Sequence, residues 1–116
     1  MMKLGLFFSG GGHHIAAWRD PGTAYAATQD FEHYAETARI AESACFDLLF
    51  TADTAAIFGP DTVDYWHRTA SASRLEPLTL LSALSVVTKR IGLVATATTT
   101  YSEPYHIARF FASLDR

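Results

Sequence analysis

The sequence predicts an α/β fold with parallel strands. Short apolar segments occupy residues 3–8, residues 46–51 and the positions from Ile91 onwards, and each has the composition of a buried strand. A segment with helical spacing of apolar residues follows each of them. Alternating strands and helices favour a parallel sheet, because parallel strands need a crossover connection rather than a hairpin.

The first unit combines a strand, a glycine-rich loop and an amphipathic helix. Ser9 and three glycines end the strand, and the loop that follows carries adjacent histidines. Residues 30–45 place small and aromatic residues on one stripe, which predicts a helix capped by Asp30 or Thr28. We interpret Cys45 as a small buried residue at the end of that stripe.

The second unit begins with the apolar segment 46–51, and Asp53 lies just beyond its carboxyl end. Residues 54–76 show no sustained period, which is typical of a long and often functional excursion. Pro77 predicts the start of the next helix, because proline is tolerated in the first helical turn. Leu81 and Leu84 lie on its apolar face.

The third unit consists of an apolar strand followed by several threonines. Thr96 and Thr98 alternate toward the same side of the extended chain, and Pro104 then predicts the start of a final helix. The carboxyl ends of parallel strands meet at one edge of a sheet, where α/β barrels bind their ligands. We therefore expect Asp53 and these threonines to lie near a ligand site.

Composition excludes several classes of protein. The chain has 116 residues, 49% hydrophobic content and a net charge of −3, which indicates a compact domain with no electrostatic preference for nucleic acid. A single cysteine permits no internal disulfide, and no apolar run is long enough to span a membrane. We expect a cytoplasmic protein that binds neither nucleic acid nor membranes.

Three strand–helix units make an incomplete sheet. Parallel sheets are usually covered on both faces, and three strands leave edges and one apolar face open to water. We therefore expect residues 1–116 to be a truncated part of a larger domain. The isolated chain is expected to self-associate or to be unstable.

Three sequence blocks carry a resemblance to a known family. FFSGGGHHIAAWRDP, FDLLFTAD and TATTTYSEPYHIARFFASLDR resemble the amino-terminal part of flavin-dependent monooxygenases of the bacterial-luciferase-like superfamily. The most similar group contains the nitrilotriacetate, dibenzothiophene-sulfone and long-chain alkane monooxygenases. This resemblance implies that residues 1–116 are the first three units of a single (β/α)₈ TIM-barrel domain.

The resemblance also implies an activity. Reduced FMN, supplied by a separate NAD(P)H-dependent flavin reductase, reacts with O₂ and one oxygen atom passes to a small organic substrate. The expected partners are that substrate, O₂ and the reductase, and the protein is expected to form a homo-oligomer. No metal is expected in the site.

The resemblance makes Asp53 a residue that contacts FMN, and position and side-chain chemistry assign roles to a few others. Asp53, Thr98 and Thr96 are expected to contact FMN, although a carboxylate cap and ordinary strand threonines are the structural alternatives. We assign catalysis to His14, because an imidazole exchanges protons near neutral pH. Substrate contacts are assigned to Trp18 and Phe58, for which packing is an equally common role.

Three alternatives stay open at the level of sequence. A deazaflavin-dependent oxidoreductase of the same superfamily would share these strands. A metal-dependent barrel hydrolase would use His13 or His14 with Asp53, although adjacent histidines do not match the usual His-x-His ligand pattern. An inactive fragment would bind nothing tightly.

Overall fold

The computed structural model describes residues 1–14, 16–23, 28–56, 59–67 and 73–116, with only the backbone at Trp66. Phe58, to which a substrate contact is assigned, lies outside the described residues. Strands β1 (Gly5–Phe8), β2 (Leu48–Thr51) and β3 (Gly92–Ala95) alternate with helices α1 (Phe31–Ser43), α2 (Val63–Trp66), α3 (Pro77–Ser85) and α4 (Pro104–Leu114). A 3₁₀ turn at Ala17–Arg19 lies between β1 and α1.

The three strands form one parallel sheet in the order β1-β2-β3. The register pairs Leu6 with Leu49 and Leu49 with Leu93, so all three strands run in the same direction. This confirms the parallel α/β prediction. It also brings the carboxyl ends of all three strands to one edge, where the loops that carry the candidate residues begin.

The sheet has one buried and one open face. Leu49 and Phe8 lie on the buried face, which packs against the apolar faces of α1 and α3. Phe7 and Val94 alternate to the opposite face, where they are 47% and 39% exposed. Phe7 contacts Phe50 on that open face, with 5.3 Å between their ring centroids. The described residues therefore leave this apolar face uncovered, as the sequence predicts for three units.

The helix starts follow the sequence prediction closely. The Asp30 side chain caps α1 by accepting a hydrogen bond from the Glu32 N–H at 3.1 Å. Pro77 and Pro104 begin α3 and α4. Glu76 strengthens the start of α3, because its carboxylate accepts the N–H groups of the first turn.

The end of α1 differs from the prediction. The helix ends at Ser43, and Cys45 adopts a positive φ of 61° and is exposed, so the interpretation of Cys45 as a buried residue is wrong. The Phe46 N–H donates to the Ala41 carbonyl at 3.0 Å and the Cys45 N–H donates to the Glu42 carbonyl at 3.1 Å. This pattern is a Schellman motif, which turns the chain out of the helix before the cysteine reaches the core.

Two carboxylates hold the opposite, amino-terminal side of the sheet. Glu42 on α1 accepts hydrogen bonds at 2.8, 2.5 and 3.0 Å from the three consecutive backbone N–H groups of the turn before β3. These hydrogen bonds, first that of Lys89, lower the pKa of the Glu42 carboxyl. Asp47 bonds the Lys3 ammonium at 2.6 Å and the Leu4 N–H at 2.9 Å, which lower its pKa.

No helix within the described ranges has both the length and the apolar character needed to cross a membrane.

Candidate functional site

Asp53, Thr96 and Thr98 line one cavity at the carboxyl edge of the sheet. This cavity, here called the threonine cavity, has a volume of about 880 Å³ and continues between α3 and α4. Its apolar wall includes Leu78 and Phe110. The structure thus brings together the three side chains that the sequence assigns to one ligand.

The backbone beyond β3 places the two threonines. The Thr96 N–H donates to the Thr51 carbonyl at 3.1 Å, which extends the strand pairing past Ala95. The Thr98 hydroxyl accepts a hydrogen bond from the Thr100 N–H at 3.3 Å. Both side chains are half-buried, as is Asp53, so each keeps a surface for a ligand.

A second, smaller cavity lies under the glycine-rich loop. This loop cavity has a volume of about 170 Å³ and lies between residues 9–14, the start of α1 and the end of β2. His14 and Trp18, the predicted catalytic and substrate residues, line it together with Arg74. The predicted site residues therefore divide between two cavities at the same edge of the sheet.

Aromatic packing and hydrogen bonds hold the glycine-rich loop on α1. His33 on α1 forms a hydrogen bond between its Nε2 and the Gly10 carbonyl at 3.0 Å. Tyr34 stacks on Phe8 with 4.2 Å between ring centroids and an interplanar angle of 22°. The loop closes on itself through the Gly12 N–H, which donates to the Ser9 carbonyl at 2.9 Å. Gly12 has a φ of 95°, a conformation that a side chain would strain.

The two adjacent histidines differ in their surroundings. His14 accepts the Ala16 N–H at its Nδ1, at 3.1 Å, just before the 3₁₀ turn. His13 packs on Phe7 with 4.8 Å between ring centroids, above the open face of the sheet. Both imidazoles are exposed. Nothing in these contacts tests the assignment of catalysis to His14, which stays a prediction.

Sequence reasoning missed three polar groups of the loop cavity: Tyr34, Thr51 and Arg74. Burial raises the pKa of the Tyr34 phenol, and the nearby Arg74 guanidinium partly offsets that effect. Thr51 is 6% exposed, and its hydroxyl has no hydrogen-bond partner among the described residues. Thr51 ends a strand and was visible as such, whereas Arg74 lies in an excursion without periodicity and offered no signal.

No three His, Cys, Asp or Glu side chains of the described part of the chain converge on a point where they would hold a metal ion.

Comparison with known proteins matches this chain over almost its full length. The family model for luciferase-like monooxygenases matches residues 9–116. N-acetyl-S-(2-succino)cysteine monooxygenase from Bacillus subtilis (strain 168) is 49% identical to it, over 98% of this chain and 24% of that protein. Nitrilotriacetate monooxygenase component A from Aminobacter aminovorans is 45% identical, over 98% of this chain and 26% of that protein. The chain thus spans about a quarter of the length of these relatives.

Solved structures show the same relationship. A crystal structure of riboflavin lyase (RcaE) with modified FMN and substrate riboflavin superimposes with a TM-score of 0.78 at 32% identity, over 98% of this chain and 27% of that chain. Luciferase-like barrel monooxygenases superimpose with TM-scores of 0.82 to 0.84, again over about a quarter of their length. The three units are therefore those of a (β/α)₈ barrel, as expected. The family match and the identities together show that the chain belongs to the luciferase-like monooxygenase family.

Proposed function

We propose that this chain supplies the amino-terminal wall of the flavin site in an FMN-dependent monooxygenase. Residues 1–116 would then be the first part of a single barrel domain. The observation that carries the proposal is the meeting of Asp53, Thr96 and Thr98 in the threonine cavity. These residues follow two neighbouring strands, β2 and β3, at the carboxyl edge of the sheet. This is the edge at which β/α barrels bind their ligands.

The chemistry of the threonine cavity fits a flavin. The isoalloxazine ring presents both carbonyl acceptors and a ring N–H donor along one edge. Threonine hydroxyls donate to such carbonyls, and the Asp53 carboxylate accepts from such an N–H. The apolar wall, which includes Leu78 and Phe110, offers a surface for a flat ring. When bound, reduced FMN supplies the reaction with O₂ and the transfer of one oxygen atom.

The remaining residues act around that chemistry. Trp18 and the glycine-rich loop cover the adjacent loop cavity and keep water from the reacting atoms. The His14 Nδ1 accepts the Ala16 N–H, so a neutral imidazole carries its proton on Nε2 and can donate a hydrogen bond to the flavin or the substrate. The substrate role of Phe58 remains part of the proposal because of its place in the long excursion 54–76 of the sequence.

A separate reductase is the proposed source of reduced flavin. The name "component A" of the nitrilotriacetate relative supports a system with more than one protein. Both sequence relatives are also named after small organic molecules that carry several carboxylates. We extend this to a small organic substrate here, with O₂ as the second reactant. The open apolar face of the sheet supports an association with further polypeptide or further copies.

A chimera tests the proposal directly. Residues 1–116 replace the matching amino-terminal quarter of nitrilotriacetate monooxygenase component A, and the product is titrated with FMN and supplied with reduced FMN and O₂. The proposal predicts FMN binding and oxygen consumption coupled to substrate. Binding of a deazaflavin in preference to FMN would favour the deazaflavin alternative. A folded chimera that binds neither would contradict the proposal.

A further inference from the structure

We propose that the loop cavity binds a carboxylate group of the substrate and that Arg74 recognises it. The inference rests on the proposed function, because it names the substrate class of the same site. It concerns the smaller cavity, whereas the flavin proposal concerns the threonine cavity. The two proposals can therefore fail separately.

The charge of the loop cavity is the first argument. Arg74 lines it, the two loop imidazoles of His13 and His14 lie beside it, and none of the described residues around it is an aspartate or a glutamate. The chain as a whole carries a net charge of −3, so the positive charge at this cavity is opposite in sign to the net charge of the chain. The threonine cavity, by comparison, carries Asp53, Glu76 and Arg116, so that its carboxylates outnumber its guanidinium. An anion is therefore more favoured in the loop cavity than in its neighbour.

The position of Arg74 is the second argument. Arg74 and Tyr34 both line the cavity, and the guanidinium charge partly offsets the rise that burial causes in the pKa of the Tyr34 phenol. The structure gives Arg74 no ion pair with any described carboxylate. The Tyr34 hydroxyl is already engaged, since it donates to the Thr28 carbonyl at 3.1 Å. The guanidinium fork thus keeps its donors for a planar oxyanion, the geometry that arginine binds in two-point fashion.

An unsatisfied hydroxyl is the third argument. Thr51 belongs to the cavity wall, and its buried Oγ1 has no partner within the described residues. Buried polar groups of folded proteins usually have a hydrogen-bond partner, supplied by protein, water or ligand. A ligand oxygen or a water that accompanies it would complete this wall.

Size and apolar lining define the ligand further. About 170 Å³ is the space of roughly six water molecules, which suits a carboxylate with two or three carbons and excludes a flavin ring. Phe8, Trp18 and Leu75 provide apolar surface for those carbons. These apolar contacts favour a short aliphatic carboxylate over an inorganic anion.

Succinate and its uncharged analogue succinamide test the inference on the chimera with nitrilotriacetate monooxygenase component A. Binding is measured by isothermal titration and by changes in the amide NMR signals of the glycine-rich loop. We expect saturable succinate binding in the millimolar range and at least tenfold weaker binding of succinamide. Equal affinity for the two compounds, or no saturable succinate binding, would overturn the inference.

Matched variants locate the site. Arg74→Gln is expected to weaken succinate binding at least tenfold, while Arg109→Gln, which removes an exposed arginine from α4, leaves it unchanged. Arg74 is exposed, so its replacement leaves the core intact, and far-UV circular dichroism checks this for each variant. Arg74→Lys keeps the charge and is expected to retain part of the affinity. Unchanged succinate affinity in Arg74→Gln would contradict the assignment.

The flavin titration of the chimera separates the two proposals. FMN binding without succinate binding would refute the carboxylate site and leave the proposed function in place. Succinate binding without FMN binding would refute the proposed function and leave the anion site in the loop cavity.

Discussion

Asp53 and Thr98 line the same cavity although they follow different strands of the sheet. The parallel register of β2 and β3 causes this. Thr51 pairs with Ala95, so the segments that follow the two strands start at the same edge of the sheet. A carboxylate and a hydroxyl therefore border one cavity from two loops. This relationship is the structural basis of the proposed flavin site.

Thr98→Ala tests the smaller part of that site. We expect FMN to bind the chimera about three- to tenfold more weakly, because one neutral hydrogen bond contributes about 0.5–1.5 kcal/mol. Thr99→Ala is the control, since Thr99 is exposed and is not among the residues that line the threonine cavity. Fluorescence titration measures both variants. Equal losses of FMN affinity in the two variants would show that Thr98 makes no specific contact with FMN.

Glu42→Gln tests the carboxylate that holds the turn before β3. The pKa of Glu42 is lower in the folded chain than in the unfolded chain, so its carboxylate stabilises the fold above its ordinary pKa. That stabilisation is lost as the pH falls through the lowered value. We expect Glu42→Gln to melt at a lower temperature at pH 7 and to match the parent chain in strong acid.

Thermal melts from pH 7 to pH 2 measure this convergence. Glu36→Gln serves as the control, because Glu36 is exposed on the same helix and no contact of its side chain resembles that of Glu42. A constant difference between Glu42→Gln and the parent chain at all pH values would show that the ionised carboxylate is not the source of the effect.

Leu81→Ala tests the core between α3 and the sheet. Leu81 is completely buried, so its truncation leaves a cavity and is expected to lower the free energy of unfolding by about 2–5 kcal/mol. Val86→Ala, at a position that is 82% exposed, should change it by less than about 0.5 kcal/mol. Urea denaturation of both variants gives the comparison. Similar losses would mean that α3 does not pack as described.

Thr51→Val tests the unsatisfied hydroxyl. Valine has nearly the same shape, and it removes a buried polar group that lacks a partner among the described residues. We expect the free energy of unfolding, without any ligand, to rise by about 1 kcal/mol. Denaturation curves measure it, and Thr99→Val at an exposed position is the control. A clear loss of stability in Thr51→Val would show that the hydroxyl has a partner.

Local signals in the sequence were sufficient for most of the fold. Pro77 and Pro104 mark helix starts because their ring geometry suits a first turn, and Asp30 caps α1 through its own side chain. The exposure of Cys45 could not be predicted, because the Schellman motif depends on backbone hydrogen bonds that the residue types at this helix end do not indicate. The short helix α2 within residues 54–76 was not predicted, because four residues are too few to show a helical period of apolar residues.

The candidate site was predictable only in part. Asp53, Thr96 and Thr98 could be found, because strand ends are visible in the sequence and parallel strands bring them together. The division into two cavities could not, since it depends on how the glycine-rich loop packs on His33 and Tyr34 of α1. Arg74 lines the loop cavity together with residues distant in sequence, and no local pattern indicates such proximity.

Titration of the chimera with FMN, with and without Asp53→Ala, tests the central claim most directly. The account predicts saturable quenching of flavin fluorescence and an affinity that falls at least tenfold in Asp53→Ala, because a hydrogen bond to a charged group contributes about 1.5–3 kcal/mol. Asp61→Ala, in the excursion outside the threonine cavity, should bind FMN like the parent chimera. An unchanged FMN affinity in Asp53→Ala, in a chimera that folds, would contradict the account.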